Sequence, residues 1–271
     1  MGQELLEVKN LSVSFRMYQG ALKHTLVTGM HGVNLRLTTG EILAVVGASG
    51  SGKSLLAHAV LGILPYNAVT SGEMLYRGTA LDAARQEELR GRELALIPQS
   101  VTYLDPLMRV GEEVCGLHGS PVDMAATFRR LHLEEKVQRL YPFQLSGGMA
   151  RRVLFSTAVI TDAALIIADE PTPGMDVKSA VEALQLLREL ADAGKSILLI
   201  THDIDLAVEV ADTVAVFYEG RTVDRVPAAA FCGDGSDLQH PYTQALYHAL
   251  PQNSFKVYSA QEVRQMTEAG G

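Results

Sequence analysis

Gly47-Ala48-Ser49-Gly50-Ser51-Gly52-Lys53-Ser54 is the stretch on which the reading of this chain turns. It has the form G-x-x-x-x-G-K-[ST] and lies between an apolar run, Glu41–Val46, and a helix expected from Lys53 to Leu64, where Pro65 stops it. Strand, glycine turn and helix start are what a phosphate cradle needs. Glycines let backbone N–H groups turn inward around phosphate oxygens. The helix N-terminus adds the positive end of its dipole. Lys53 is placed to reach the β- and γ-phosphates, and the Ser54 hydroxyl to ligate Mg²⁺. The glycine spacing is not that of a dinucleotide-binding turn, and a phosphate loop alone does not separate kinases, GTPases and motors.

Outward from this loop the chain alternates. Leu5–Lys9, Leu11–Phe15 and Val33–Leu37 read as short strands, Val33, Leu35 and Leu37 alternating with Asn34 and Arg36. Gly72–Arg77 and Glu93–Pro98 follow. Residues 106–161 read as helical, with breaks near Gly119–Pro121 and Tyr141–Pro142. Then come a strand at Leu165–Asp169, a helix at Val177–Asp192, a strand at Ser196–Thr201, a helix at Asp203–Ala211 and a strand at Val214–Tyr218. This order predicts an α/β fold with a mainly parallel sheet, helices on both faces and a helical insert. Gly233–Gly235 reads as a linker.

Three strand ends supply candidate chemistry. Leu165–Ala168 is apolar and ends in Asp169-Glu170. A carboxylate at the carboxyl edge of such a sheet lies beside the phosphate loop. Asp169 is the candidate Mg²⁺ ligand. Glu170 is the candidate for polarising an attacking water. Adjacent acids also occur at ordinary loop starts, and only the phosphate loop upstream raises this pair above that. His202 follows the next strand and is placed to meet a γ-phosphate. Gln99 ends an earlier strand and is a candidate to sense Mg²⁺ and the attacking water, a surface glutamine being the plain alternative.

Leu145-Ser146-Gly147-Gly148-Met149 opens an apparent helix with a further set of backbone donors for an anion. A single chain has no second phosphate for that cradle, whereas a partner chain does. The run resembles the signature motif of the ABC ATPases. The ordered set resembles them too, with Gly47–Ser54, Gln99, Leu145–Met149, Asp169–Glu170, a D-loop-like Asp176 and His202. The resemblance spans about Glu4 to Pro251. It implies an ABC-type P-loop ATPase fold with a mainly parallel core sheet, an N-terminal antiparallel β subdomain and a helical subdomain over about residues 99–161. The ATPase domain would cover residues 1–251, leaving 252–271 as a poorly ordered tail. It further implies a head-to-tail pair of ATPase chains with two ATP molecules between them. Each ATP, with Mg²⁺, would lie between one chain's Lys53 loop and the other's Ser146, Gly147 and Gly148. An aromatic near the N-terminus would stack on adenine, Phe15 being the first candidate and Tyr18 the second.

Gln99–Pro106 followed by Val110-Gly111-Glu112 resembles the oligopeptide, dipeptide and nickel importers. Tyr141-Pro142-Phe143 and His240-Pro241-Tyr242-Thr243 resemble the same group, as does Met149 in the signature. Peptide-importing members often carry a cysteine cluster near the C-terminus, where this chain has only Cys232, so an iron–sulfur site is not supported. Gly62-Ile63-Leu64-Pro65 and the compact length resemble the nickel-type members, so import of nickel or a related metal is the first expectation and peptide import the alternative. Such importers pair two ATPase chains, different or identical, with two membrane permease subunits at the cytoplasmic face of the membrane. An extracytoplasmic binding protein delivers their substrate. Ala150-Arg151-Arg152 and Pro173-Gly174-Met175 depart from the usual runs after the signature and before Asp176, so two ATP sites of unequal strength are expected.

Composition fits this reading. Of the 271 residues 47% are hydrophobic, enough for a sizeable core. A net charge of -8 disfavours nucleic acid as a partner. Cys115 and Cys232 are too few for a disulfide framework or a zinc motif and fit a reducing cytosol. The eight histidines show no metal-ligand spacing. No signal peptide is visible and no run reaches the roughly 18 apolar residues of a membrane span. The rival readings are a non-transport ABC ATPase, which usually carries tandem ATPase domains or a long coiled-coil insert, and a phosphate-loop kinase or GTPase, which lacks the Leu145–Met149 run.

Overall fold

Val33, Leu35 and Leu37 are buried while Asn34 and Arg36 face solvent, as their alternation requires. They belong to β2 (Lys23–Thr38), which pairs antiparallel with β1 (Glu4–Gln19). The computed structural model describes residues 2–19, 23–116, 119–251, 253, 256 and 258–269. The two short N-terminal strands expected from sequence form one strand of 16 residues, bent by register shifts around Val8–Ser14.

In chain order there follow β3 (Ile42–Val46), α1 (Lys53–Leu61), β4 (Ala68–Tyr76), β5 (Thr79–Ala80), α2 (Ala83–Leu89) and β6 (Leu94–Ile97). The insert holds α3 (Val110–Cys115), α4 (Pro121–Arg130) and α5 (Gly147–Val159), with 3-10 turns at Val101–Tyr103, Glu135–Arg139 and Pro142–Gln144. Then come β7 (Leu165–Asp169), α6 (Val177–Asp192), β8 (Ser196–Thr201), α7 (Ile204–Val210), β9 (Thr213–Tyr218), β10 (Arg221–Pro227), α8 (Pro241–Ala249) and α9 (Ala260–Ala269).

Two sheets result. One has the order β2-β1-β4-β5 and is antiparallel. The other has the order β10-β9-β3-β8-β7-β6 and is parallel except where β10 meets β9. The chain leaves β3 and re-enters this sheet at the far edge, β6, so β3 ends beside a switch in strand order. Such a switch leaves a crevice at the carboxyl edge.

Every residue of β3, β7 and β8 is buried. Their side chains alternate between two cores. Ile42, Ala44, Val46, Ile166 and Ala168 face a cluster that includes Phe155 of α5 and Leu187 of α6. Leu43, Val45, Leu165 and Ile167 face the N-terminal sheet and α1 through Leu6, Val13 and Leu56. Burial on both faces explains why these strands read as unbroken apolar runs.

Helix α1 stops at Leu61, earlier than Pro65 suggested. Gly62 takes a left-handed conformation (φ 67°), and its N–H and that of Ile63 close back on Ala59 and His58. Gly233–Gly235 is not a loose linker, because the Gly233 carbonyl accepts a hydrogen bond of 2.7 Å from Tyr247. In residues 252–271 the described part contains α9, with Val263 buried. Gln252, Ser254, Phe255, Val257, Gly270 and Gly271 lie outside the described residues. No helix among the described residues is long and apolar enough to cross a membrane.

Candidate functional site

Four neighbouring strands deliver the candidate residues to one edge. β3 runs into Gly47–Gly52, β8 into His202, β7 into Asp169-Glu170 and β6 into Pro98-Gln99. Parallel strands with a common direction place all four carboxyl ends together.

Backbone sterics build the phosphate loop. Gly47, Gly50 and Gly52 have φ of 154°, 80° and 96°. At Gly47 an added Cβ would lie 2.2 Å from the Phe217 carbonyl oxygen of β9, so only glycine passes there. At Gly52 it would come within 3.0 Å of the Gly29 carbonyl in β2. Both sheets therefore confine the loop. Lys53, 6% exposed, folds its Nζ into the loop, 2.8 Å from the Gly47 carbonyl and 3.0 Å from that of Ala48. Burial holds the Lys53 pKa below its ordinary value, countered by Glu170 and Asp169. A buried ammonium whose hydrogen-bond partners are two loop carbonyls is placed to take a phosphate oxygen in their stead. The Ser51 hydroxyl is buried without a hydrogen-bond partner, a second polar group suited to an anion in the loop.

Ser54 Oγ donates to Asp169 Oδ1 at 3.0 Å. Asp169 is buried, and burial raises its pKa, countered first by the Ser54 hydroxyl. A hydroxyl and a carboxylate in contact form a hard oxygen set that suits Mg²⁺.

Glu170 is buried and has φ of 48°, a strained value for a residue with a Cβ. Its N–H continues the β7–β8 ladder onto the Ile200 carbonyl at 2.8 Å. Its Oε2 meets His202 Nδ1 at 2.8 Å, and the Thr201 hydroxyl lies 3.5 Å away. The His202 side chain is 57% exposed, so the pair joins a buried carboxylate to a ring at the surface. Gln99 stands exposed at the end of β6. Buried Arg151 of α5 donates to the Pro98 carbonyl at 2.9 Å, tying the helix to the residue before Gln99.

The other candidates lie apart. Ser146 caps α5 by accepting from the Met149 N–H at 3.3 Å, and Gly147 is exposed beside it. Gly148 approaches the Gly174 carbonyl, which brings this helix start next to the loop before α6. Asp176 caps α6 through the N–H and hydroxyl of Ser179, a structural task its motif position did not announce. Among the described residues no hydrogen bond or ion pair joins Ser146–Gly148 to Gly47–Ser54. Phe15 is half-buried, its ring closing with Leu55 over Gly29. Tyr18, 74% exposed, offers more ring surface to a base.

One site residue escaped sequence reasoning. The Ala48 N–H donates to the Tyr242 hydroxyl at 2.9 Å, a contact across 194 positions. Nothing local in the run His240–Thr243 points at the loop.

Residues 30–173 match the family model described as ABC transporter. An oligopeptide transport ATP-binding protein of Bacillus subtilis is 36% identical over 265 residues, covering 91% of this chain and 72% of the relative. A dipeptide transport ATP-binding protein of Lactococcus lactis is 34% identical, covering 92% and 74%. An uncharacterized ABC transporter ATP-binding protein of Escherichia coli is 38% identical, covering 93% of this chain and 49% of that one. The dimeric structure of a bacterial ABC transporter cassette superposes with a TM-score of 0.73 at 24% identity, over 83% of this chain and 99% of that chain. The structure of an ATP-binding subunit of an ABC transporter gives 0.68 at 26% identity, over 84% and 91%. The first two relatives are named for oligopeptides and dipeptides, not for the nickel that the chain's compact length suggested.

Proposed function

Because this chain belongs to the ABC transporter family, we propose that it is the ATP-hydrolysing subunit that powers import of oligopeptides or dipeptides. The observation that carries the ATPase reading is the convergence of the phosphate loop, Asp169, Glu170 and His202 at one sheet edge. The names of the similar transport proteins support peptides over a metal.

In this reading the loop N–H groups, the α1 terminus and Lys53 bind the triphosphate of ATP. Ser54 and Asp169, with Gln99, would hold Mg²⁺, which supplies charge neutralisation at the phosphates. Glu170 orients the attacking water, and His202, held through its Nδ1 on Glu170, contacts the γ-phosphate. Ser146, Gly147 and Gly148 serve the ATP of a second ATPase chain, and Asp176 lies at the junction between the two. Each ATP site is then incomplete until the partner arrives, which couples nucleotide binding to closure.

Leu107 and Phe143 are 87% and 74% exposed. Phe143 stacks on Tyr141, and the Arg109 guanidinium lies over the Tyr141 ring. Exposed apolar groups of this kind on the insert suit a permease subunit at the cytoplasmic face of the membrane. An extracytoplasmic binding protein would act only through that permease.

The test is uptake of labelled di- and oligopeptides by cells lacking the chain, with nickel uptake measured in parallel. Peptide uptake restored by the wild type but not by Lys53→Ala is the expected result. Restoration of nickel uptake alone would overturn the peptide reading and bring back the metal.

A further inference from the structure

The peptide group between Gly47 and Ala48 is engaged at both ends. Its carbonyl accepts from Lys53 Nζ at 2.8 Å, and its N–H donates to the Tyr242 hydroxyl at 2.9 Å. The two ends of a trans peptide point in opposite directions, so one flat unit lies between a buried ammonium and a phenol. Hydrogen bonds in such a row polarise one another, and fixing one end fixes the other.

Tyr242 is itself rigidly held. It is 7% exposed, and its ring lies 4.4 Å from that of Tyr218 in β9. Its N–H donates to His240 Nδ1 at 3.1 Å, and Pro241 fixes the first turn of α8. Behind the contact a cavity of about 500 Å³ separates the loop from the C-terminal helices, lined by Ser49, Ser51, Tyr218, Tyr242, Leu246 and Val263. Among the described residues this hydroxyl is the side-chain atom that reaches across from the C-terminal helices to a loop N–H. Residue 242 lies outside the 30–173 span of the family match.

We propose that Tyr242 is a positioning residue for ATP binding, its hydroxyl holding the Gly47–Ala48 peptide in the orientation that keeps the loop and Lys53 ready for a triphosphate. Without the hydroxyl the Ala48 N–H loses its partner, and the peptide is free to turn. The loop must then be ordered at the expense of ATP affinity. Glu170 and His202, the groups assigned to the attacking water and its activation, are untouched, because Tyr242 contacts neither. The proposal rests on the reading of Gly47–Ser54 as an ATP site.

The experiment compares the full-length wild type, Tyr242→Phe and Tyr247→Phe. The Phe variant at 242 keeps the ring and its packing on Tyr218. Tyr247 lies on the same helix but donates to Gly233, away from the loop. Dissociation constants for ATP, the KM and kcat of hydrolysis, and Tm are measured for each. The expected result is a rise of about fivefold in Kd and KM for Tyr242→Phe, the loss of one ordinary hydrogen bond. Its kcat stays within twofold and its Tm near the wild-type value, and Tyr247→Phe binds ATP normally. Unchanged affinity in Tyr242→Phe, or equal weakening in both variants, overturns the proposal. A wild type that binds no ATP overturns the nucleotide reading and this proposal with it. Amide exchange on the wild type reads the bond without a variant. Slow exchange at Ala48 is expected, and exchange at the rate of an open loop contradicts the assignment.

Discussion

His202 Nδ1 lies 2.8 Å from Glu170 Oε2, joining the ends of two adjacent parallel strands. The contact leaves Nε2 as the ring nitrogen for a ligand and fixes the ring plane. It makes the two residues a unit, so their substitutions should not add. Glu170→Gln is expected to lower kcat for ATP by about a hundredfold or more while ATP still binds. With Glu170→Gln in place, His202→Ala should cost much less than it does alone. A double-mutant cycle on kcat checks this, and simple additivity would count against the paired role.

Ser54 and Asp169 share a hydrogen bond of 3.0 Å at the place assigned to Mg²⁺. Ser54→Ala is expected to raise the Mg²⁺ concentration for half-maximal hydrolysis by about tenfold or more, with a smaller change in ATP affinity. A Mg²⁺ titration of the ATPase rate gives the answer. An unchanged midpoint would remove Ser54 from the metal site.

Lys53 is buried, and its charge is disfavoured by that burial. A folded-state pKa below the unfolded one means that the unfolded chain binds the proton more tightly. The charged form therefore costs stability near neutral pH, and the cost fades as pH rises toward the unfolded value. Lys53→Met removes this cost along with the phosphate contact. The unliganded variant is expected to melt at or above the wild-type temperature but to gain nothing from added ATP. Thermal melts with and without nucleotide test both halves.

Gly47 and Gly50 both have positive φ, yet they differ in surroundings. A Cβ at 47 would meet the Phe217 carbonyl at 2.2 Å, whereas at 50 nothing lies within 4 Å. Gly50→Ala should cost only the conformational penalty, ~1 kcal/mol. Gly47→Ala should cost at least ~2 kcal/mol, because backbone must move. Denaturant unfolding of the two variants would show the ranking, and equal losses would mean that β9 yields.

Much of the architecture was legible because its signals are local. Unbroken apolar runs at β3, β7 and β8 and the glycine loop before Lys53 mark a buried parallel sheet with a phosphate site. Parallel chain direction accounts for the strand ends meeting at one edge, and the phosphate loop upstream is what singles out the candidates there. What stayed hidden depends on distant pairing. The bent 16-residue β1 is held between β2 and β4, and the breaks in alternation along β1 and β2 read as strand ends. Helix α1 is capped at Gly62, short of Pro65, because a left-handed glycine stops a helix as firmly as proline but is a quieter signal in sequence. Tyr242 was invisible as a loop partner because 194 positions separate it from Ala48. Asp176 carries a capping duty that any Asp before a helix could perform, so its motif position and its local role cannot be told apart in the letters.

Glu170 follows β7 in a left-handed conformation, φ 48°, and is buried. A glycine there would relieve backbone strain of about 1 kcal/mol and remove a buried acid. Selection of this chain for thermal robustness alone would therefore tend to discard the very side chain assigned to the water. Laboratory evolution toward heat resistance should monitor position 170 first, since a gain in melting temperature there is the expected mark of a lost enzyme.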